Sequence, residues 1–554
     1  MRGQSIAENR TTSERLEAMS EATVVVLPSS SRPAVQTLPL GGGALSRALQ
    51  AGTAPASWTV ARPRNVDQWK AAARGVELRH AGHEWLSALA PAFNATGKAA
   101  ERLARAAAGG VVVTTGQQPG LFGGPAYTWS KALAALALAD ELEAQLGIPV
   151  APVFWAATDD ADWQESAVTH VVGARGLETL TLAGPATDGI ALSEVSLGDV
   201  QAQIARLRDA CGSVANGDIL DLVESAYVAH ASVGASYVQL LRGVLEPLGI
   251  AVLDAAHIAL RTAADPILRR ALHSAPAIAE ALRTRSAEIQ AVGMQPQVAD
   301  MDGLSLVFRT SRTELGNTRE RVSLPHAART VREAEVGTLG PNVLLRPIVE
   351  RAILPTLAYL AGPGEFAYFA QISPIAEVLG ADIPLAVPRW SGSIVEPQTE
   401  RALRRLGVTA ADFDDPHAVE SRLAKSALDE GVADAFERVR VATETQLRAL
   451  KSAVKDADDV VTPSVVDGAG RDILHKLERL ERRLIAGVKR REEVLMRDIA
   501  VARAAIKPMG KSPERVLNLI PALARYGPEL LLAMRDSARV HAAALVTGDA
   551  SDAQ

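Results

Sequence analysis

Three short stretches of this chain concentrate residues able to bind and activate a small molecule. The first, TGQQPGLFGGPAYTWSK (115–131), carries Gly116, Gly120, Gly123 and Gly124. Such glycines let the main chain approach a ligand closely, and the N–H groups of a following helix favour an anion. Gln117 and Gln118 both donate and accept hydrogen bonds, and Lys131, one turn inside that helix, is placed to reach a phosphate. Glycine content alone fits a structural turn equally well. The second stretch, WAATDDADW (155–163), sets Asp159, Asp160 and Asp162 close together. Three carboxylates repel one another, so Mg²⁺, a substrate ammonium or helix N-terminal amides must offset them, unless they only cap a helix and a turn. In the third, PNVLLRP (341–347) precedes LPTLAYLAGPGE (354–365). Arg346 offers a fork for a carboxylate or phosphate, and Glu365 a partner for an amine. A core ion pair and a plain turn at Gly362–Gly364 are the simpler alternatives.

These residues need a frame. Gly110–Thr115 is a β-branched run ending in glycine punctuation and reads as a buried strand. Tyr127–Leu146 reads as a helix stopped by Gly147, and Ile148–Trp155 as a second strand. Strand, loop, helix, strand is a βαβ unit, so the strands are expected to be parallel with helices on their faces. Ile250–Leu253 and Leu304–Phe308 are further strand candidates, and the prolines of Pro384–Pro388 suit an edge strand. The first two motifs then fall at carboxyl ends of parallel strands, where α/β proteins place ligands. A helix is expected to open at Glu365 and run through Tyr368 and Gln371.

Beyond about residue 400 the pattern changes. Val432, Phe436, Val439, Leu447, Leu450 and Val454 fall mostly on heptad-like spacing, and Ile473, Leu477, Leu480, Leu484, Val488, Leu495 and Ile499 resume it after the breaker Thr462–Gly470. This predicts an antiparallel coiled-coil hairpin with a stutter near Gly487 and a solvated charged run at Lys489–Glu493. A last helical segment is expected over Arg515–Ala543.

The bulk numbers narrow the function classes. A length of 554 residues allows two to four domains, and 48% apolar residues support a large core. A net charge of −6 argues against a nucleic-acid binder. The single cysteine, Cys211, forbids an intrachain disulfide and fits a reducing, cytoplasmic setting. No apolar window suits a membrane span or a secretory signal, and residues 1–20 and 547–554 read as loose. Gly510-Lys511-Ser512 is not a P-loop, because the first glycine it needs falls at Ala505. His83-Glu84 lacks the second histidine of a zinc-protease helix, no Gly-x-Ser-x-Gly elbow occurs, and the histidines show no metal-ligand spacing.

The motifs at 115–128, 152–163 and 341–375, together with Val387-Pro-Arg389 and Glu514-Arg-Val-Leu-Asn518, resemble the cysteine-adding (cysteine ligase) family of bacillithiol biosynthesis over most of the chain. The resemblance implies a Rossmann-like core related to class I synthetase cores, inserted connecting segments and a helical coiled coil serving a homodimer. It implies an enzyme that joins cysteine to glucosaminyl-malate and binds a nucleotide, ATP or ADP; Mg²⁺ is a candidate ion from the acidic loop alone. The alternatives are another carboxylate-activating or nucleotidyl-transferring enzyme, or a weakened nucleotide-binding dimer. Where many family members carry histidine, this chain has Ser130 and Ala161.

The resulting expectations are specific. Residues 1–100 form a segment packed on the core, 101–395 the catalytic core, 396–507 the hairpin, and 508–554 a helical return. Asp159, Asp160, Asp162 and Lys131 are the candidate catalytic residues. Gly116, Gln117, Gln118, Gly120, Gly124, Tyr127, Ser130, Trp155, Arg346, Gly362, Gly364, Glu365, Gln371 and Arg389 are the candidate substrate or nucleotide contacts. No protein-held metal, nucleic acid or membrane partner is expected.

Overall fold

The computed structural model describes residues 32–184, 189–313, 316–415, 417–456 and 462–548. Of the loose ends expected at 1–20 and 547–554, Thr547 instead ends a helix and Gly548 follows it; residues 1–20 and 549–554 lie outside the described residues.

Five parallel strands form the central sheet: β1 (Val111–Gln117), β2 (Val150–Ala156), β3 (Ala251–Asp254), β4 (Thr356–Ala361) and β5 (Leu385–Pro388). Their spatial order is β5-β4-β1-β2-β3. The chain winds outward from β1 in one direction, returns across the sheet, and continues from β4 in the other. This doubly wound order leaves a crevice beyond the carboxyl ends of β1 and β4, where the winding reverses. Strands covered on both faces must be apolar on both, and β1, β2 and β4 are buried along nearly all their length. β5 ends in Pro388 at the sheet edge, the position that tolerates a missing N–H.

Helix α1 (Tyr127–Leu146) connects β1 to β2 and is buried over most of its surface. It is covered by α5 (Pro528–Thr547), which makes the sheet one layer of a thicker sandwich. Helix α2 (Pro363–Leu379) follows β4 and begins at the crevice. Two expectations need refinement, one of a strand and one of a helix. Leu304–Phe308 is a strand, but it belongs to a separate antiparallel sheet with 316–323 and 339–341. The helical segment expected over Arg515–Ala543 is two helices: a short one spans Ile520–Tyr526, and Gly527, at φ 65°, turns the chain into α5.

The hairpin consists of α3 (Glu430–Asp456) and α4 (Pro463–Arg491), packed against each other. The breaker is shorter than expected. Pro463 occupies the first turn of α4, where its missing N–H costs nothing, and Gly468 and Gly470 lie inside the helix. Gly470 is tolerated because Leu447 of α3 sits over it; an added Cβ would come within 3.3 Å of that side chain. The irregularity expected near Gly487 appears slightly later, where α4 ends at Arg491 and a new helix begins at Glu493.

Candidate active site

The crevice is a cavity of about 650 Å³, open to solvent. Its floor is the carboxyl edge of the sheet: Gly116 and Gln117 from β1, Trp155 from β2, Tyr359 from β4, and Arg389 just beyond β5. Gly116 is required there by the neighbouring strand, because a Cβ would lie 2.8 Å from the Trp155 carbonyl oxygen. Gln118, Tyr127, Lys131, Asp159, Asp160, Arg346, Gly362, Gly364 and Glu365 also line the cavity, so the three motifs converge on one site.

Lys131 is buried and donates to Gly116 O at 2.8 Å, Gln117 Oε1 at 3.0 Å and Glu365 Oε2 at 2.8 Å. An ammonium has three hydrogens, and all three are engaged. Lys131 is therefore not the free phosphate-reaching cation that its spacing predicted; it ties β1 to the start of α2. Burial lowers its pKa, and Glu365 opposes that shift. Burial would raise Glu365, but Lys131, the Tyr359 hydroxyl and the Gly362 N–H together hold it below the ordinary glutamate value. A Cβ on Gly362 would approach Glu365 Oε2 to 3.1 Å, so that carboxylate would have to shift slightly.

The acidic loop divides into three different environments. Asp159 pairs with Arg319 at 3.1 Å, and the same guanidinium donates to the Asp159 and Pro341 carbonyls. Asp162 lies outside the cavity wall and caps the helix Trp163–Ser166 by accepting from Glu165 N at 3.1 Å. Asp160 has no salt-bridge partner among the described residues and accepts only from the N–H groups of Ala161 and Asp162. Burial, then the charge of Asp159, raise its pKa. Two of the three carboxylates are thus already engaged by protein groups. Among the described residues no group of three His, Cys, Asp or Glu side chains is placed to hold a metal.

Four other candidates lie off the cavity. Gly120 and Gly124 belong to a tight loop whose Phe122 has a left-handed φ of 53°, and their close packing on each other explains the glycines. Ser130 donates to Ala126 O and faces a smaller cavity of about 60 Å³ beside Trp390 and Glu514. Gln371 is fully buried and grips the main chain of Val298, accepting from its N–H at 2.9 Å and donating to its carbonyl at 2.8 Å. It positions the Gln297–Val298 wall instead of touching the cavity itself. Arg389 does reach the cavity, but its fork is committed to Glu514 at 2.7 and 3.1 Å. Arg346 is likewise held, by Glu350 at 2.9 Å, and lies over the Tyr359 ring.

Sequence reading did not single out Gln297, Phe308, Arg319, Arg321, Asn342 or Arg515, all of which line the cavity. It also assigned no role to Asn518, although it quoted the motif containing it. The Asn518 amide nitrogen lies 3.0–3.2 Å from the carbonyls of Leu121, Phe122 and Gly124 and 3.1 Å from Thr169 Oγ1, while its oxygen accepts from Ile520 N. One side chain therefore holds the strained loop that leads into α1. Asn518→Ala is expected to cost about 1–3 kcal/mol by orphaning these buried carbonyls. Urea unfolding checks this; an unchanged midpoint would mean that the loop holds its own shape.

The comparisons with known proteins agree with this architecture. Residues 63–390 match the family model described as bacillithiol biosynthesis BshC, N-terminal Rossmann-like domain. Residues 392–543 match bacillithiol biosynthesis BshC, C-terminal coiled-coil domain. A protein of Solibacter usitatus named "Putative cysteine ligase BshC" is 31% identical over 487 residues, covering 86% of this chain and 91% of that one. Its namesake from Koribacter versatilis is 31% identical over 79% of this chain and 83% of its own, and that from Salinibacter ruber 28% identical over 78% and 82%. With one family model spanning more than half its length and a second continuing to residue 543, the chain belongs to the BshC family of bacillithiol biosynthesis.

Proposed function

We propose that this chain is a carbon–nitrogen ligase that joins the carboxyl group of cysteine to the amine of glucosaminyl-malate. The observation that carries the reading, beyond family membership, is Asp160: a partly buried carboxylate on the cavity wall, with no cation partner among the described residues and a raised pKa. A general base works best when its pKa approaches the working pH, and Asp160 is displaced in that direction.

A nucleotide would supply the activation that makes the cysteine carboxylate an acylating group. The start of α2 suits its phosphates. Gly362 and Gly364 line the cavity, and a Cβ on Gly364 would meet only Gln297 Nε2, at 3.8 Å, so the main chain at Gly364 is open to a ligand, although Glu365 already accepts the Gly362 N–H. Mg²⁺ fits this reading as an ion carried by the phosphates, since Asp159 and Asp162 are already engaged. As the amine nitrogen forms the new C–N bond, Asp160 accepts its proton and the activated oxygen leaves. Lys131 and Glu365 keep the floor of the site in register. The decisive test incubates the purified protein with cysteine, glucosaminyl-malate and ATP, and follows product by mass spectrometry. Bacillithiol formed only when all three are present supports the reading; its absence would sink it.

A homodimer through the hairpin is part of the proposal. Val439, Leu450, Ile473 and Leu480 remain 42–52% exposed although α3 and α4 pack on each other. Apolar residues repeating along a helix pair are the pattern of an interface. Leu450→Glu with Leu480→Glu is expected to halve the mass seen by light scattering; a parent protein that is already monomeric would refute the assembly. Among the described residues no helix is long and apolar enough to cross a membrane. Cys211 is buried and free, and together with the proposed thiol chemistry this favours the cytoplasm.

A further inference from the structure

The cavity sorts its charges. Lys131 is matched by Glu365, Arg319 by Asp159, Arg346 by Glu350 and Arg389 by Glu514. Among the described residues two lining cations remain without a carboxylate, Arg321 and Arg515. Arg515 is exposed, at the rim beside Tyr127. Arg321 is different. It is half-buried, and its guanidinium is stacked 4.9 Å from the centre of the Phe308 ring, its cross-strand neighbour. Arg319, two residues earlier on the same strand face and so roughly 7 Å away along the strand, lies over the same ring. Burial and the charge of Arg319 both act against the Arg321 cation, and no carboxylate relieves it.

A second group points the same way. Asn342 is buried, its Oδ1 accepts from Leu345 N at 3.0 Å, and its Nδ2 has no partner. Asn342 and Arg321 border both the main cavity and a side cavity of about 40 Å³. An unmatched guanidinium and an unmatched amide donor share one corner of the wall; Asp300 and Asp302 also line the side cavity but form no ion pair with Arg321 among the described residues. On the main-cavity side the pair is suited to a carboxylate.

We propose that Arg321 and Asn342 form the subsite that reads the malate carboxylates of the acceptor, and so determine which amino sugar the enzyme accepts. This rests on the ligase reading above. The acceptor carries an amine at one end and a dicarboxylate at the other. Arg319, bound to Asp159, stands between Arg321 and the acidic loop, so the corner and the Asp160 base lie along one wall. Dicarboxylate at Arg321 therefore places the sugar amine toward Asp160. Cysteine carries only one carboxylate, so it cannot supply the dicarboxylate.

Direct binding tests the subsite without relying on turnover. Glucosaminyl-malate and methyl glucosaminide, which lacks the malate, are titrated calorimetrically into the full chain and into Arg321→Ala, Arg321→Lys and Asn342→Ala. Arg321→Ala is expected to weaken glucosaminyl-malate by about 10- to 100-fold while leaving methyl glucosaminide within about twofold. Arg321→Lys should recover part of the loss, because it restores charge without the fork. Asn342→Ala should show a smaller loss on the malate compound alone. Unchanged binding of glucosaminyl-malate to Arg321→Ala would overturn the proposal, and so would an equal loss on both sugars. Selective loss in a protein that fails to form bacillithiol would uphold the subsite while removing the ligase reading.

Discussion

Asp160→Asn is expected to lower kcat by about 100- to 10,000-fold, the range lost when a positioned general base is removed. KM for cysteine should change little, because the substitution keeps the side chain's shape. The parent should also lose activity as the pH falls through the raised Asp160 pKa, since the protonated carboxyl cannot accept the amine proton. That acid limb should vanish in the variant. Stability moves the other way. A carboxyl whose folded pKa lies above its unfolded value opposes folding once ionised: the burden is absent below the unfolded aspartate range and complete above the folded pKa. At pH 8 the asparagine variant should therefore melt slightly higher than its parent while turning over far more slowly. A variant that kept both its activity and its acid limb would exclude Asp160 as the base.

The second large effect is expected at the buried pair beneath the site. Lys131→Met leaves Glu365 without its cation at 2.8 Å, and breaking a buried pair from one side costs about 3–5 kcal/mol. Adding Glu365→Gln should return much of that loss, because two neutral groups carry no orphan charge. Urea unfolding of both single variants and the double variant measures the coupling. Losses that simply add would show that the pair is not a unit. The low pKa of Glu365 adds a pH signature: its contribution is present above the unfolded glutamate value and is lost as the pH falls through the folded one.

What could be read without the structure followed locality. β1 and β2 were legible because short β-branched or aromatic runs stand beside glycine and proline. The strand role of β4 was not: Thr-Leu-Ala-Tyr-Leu-Ala is buried on both faces, so it has no alternation, and its residues suit a helix as well. Leu304–Phe308 had the right local form, yet which sheet it joins depends on pairing with residues far along the chain. The site shows the same division. Residues clustered in motifs, such as Gln117, Asp160 and Glu365, could be nominated from type and spacing. Arg319 and Arg321 could not, because Gly-Asn-Thr-Arg-Glu-Arg-Val-Ser is an ordinary half-polar strand until the sheet turns one face toward the cavity. Nor could the commitment of Lys131 and Arg389 to internal partners, which depends on three-dimensional packing.

The grip of Asn518 on the loop at 121–124 also bears on the order of events during synthesis. Its contact with Leu121 spans 397 positions, and Arg389 and Glu514 are a further 125 apart. The loop that leads into α1 is made early, and the side chain that shapes it emerges from the ribosome several hundred residues later. A nascent chain can assemble β1, α1 and β2 well before that moment, but it holds the β1–α1 loop without its clasp. Until the returning segment docks, the carbonyls of Leu121, Phe122 and Gly124 lack the amide that gathers them.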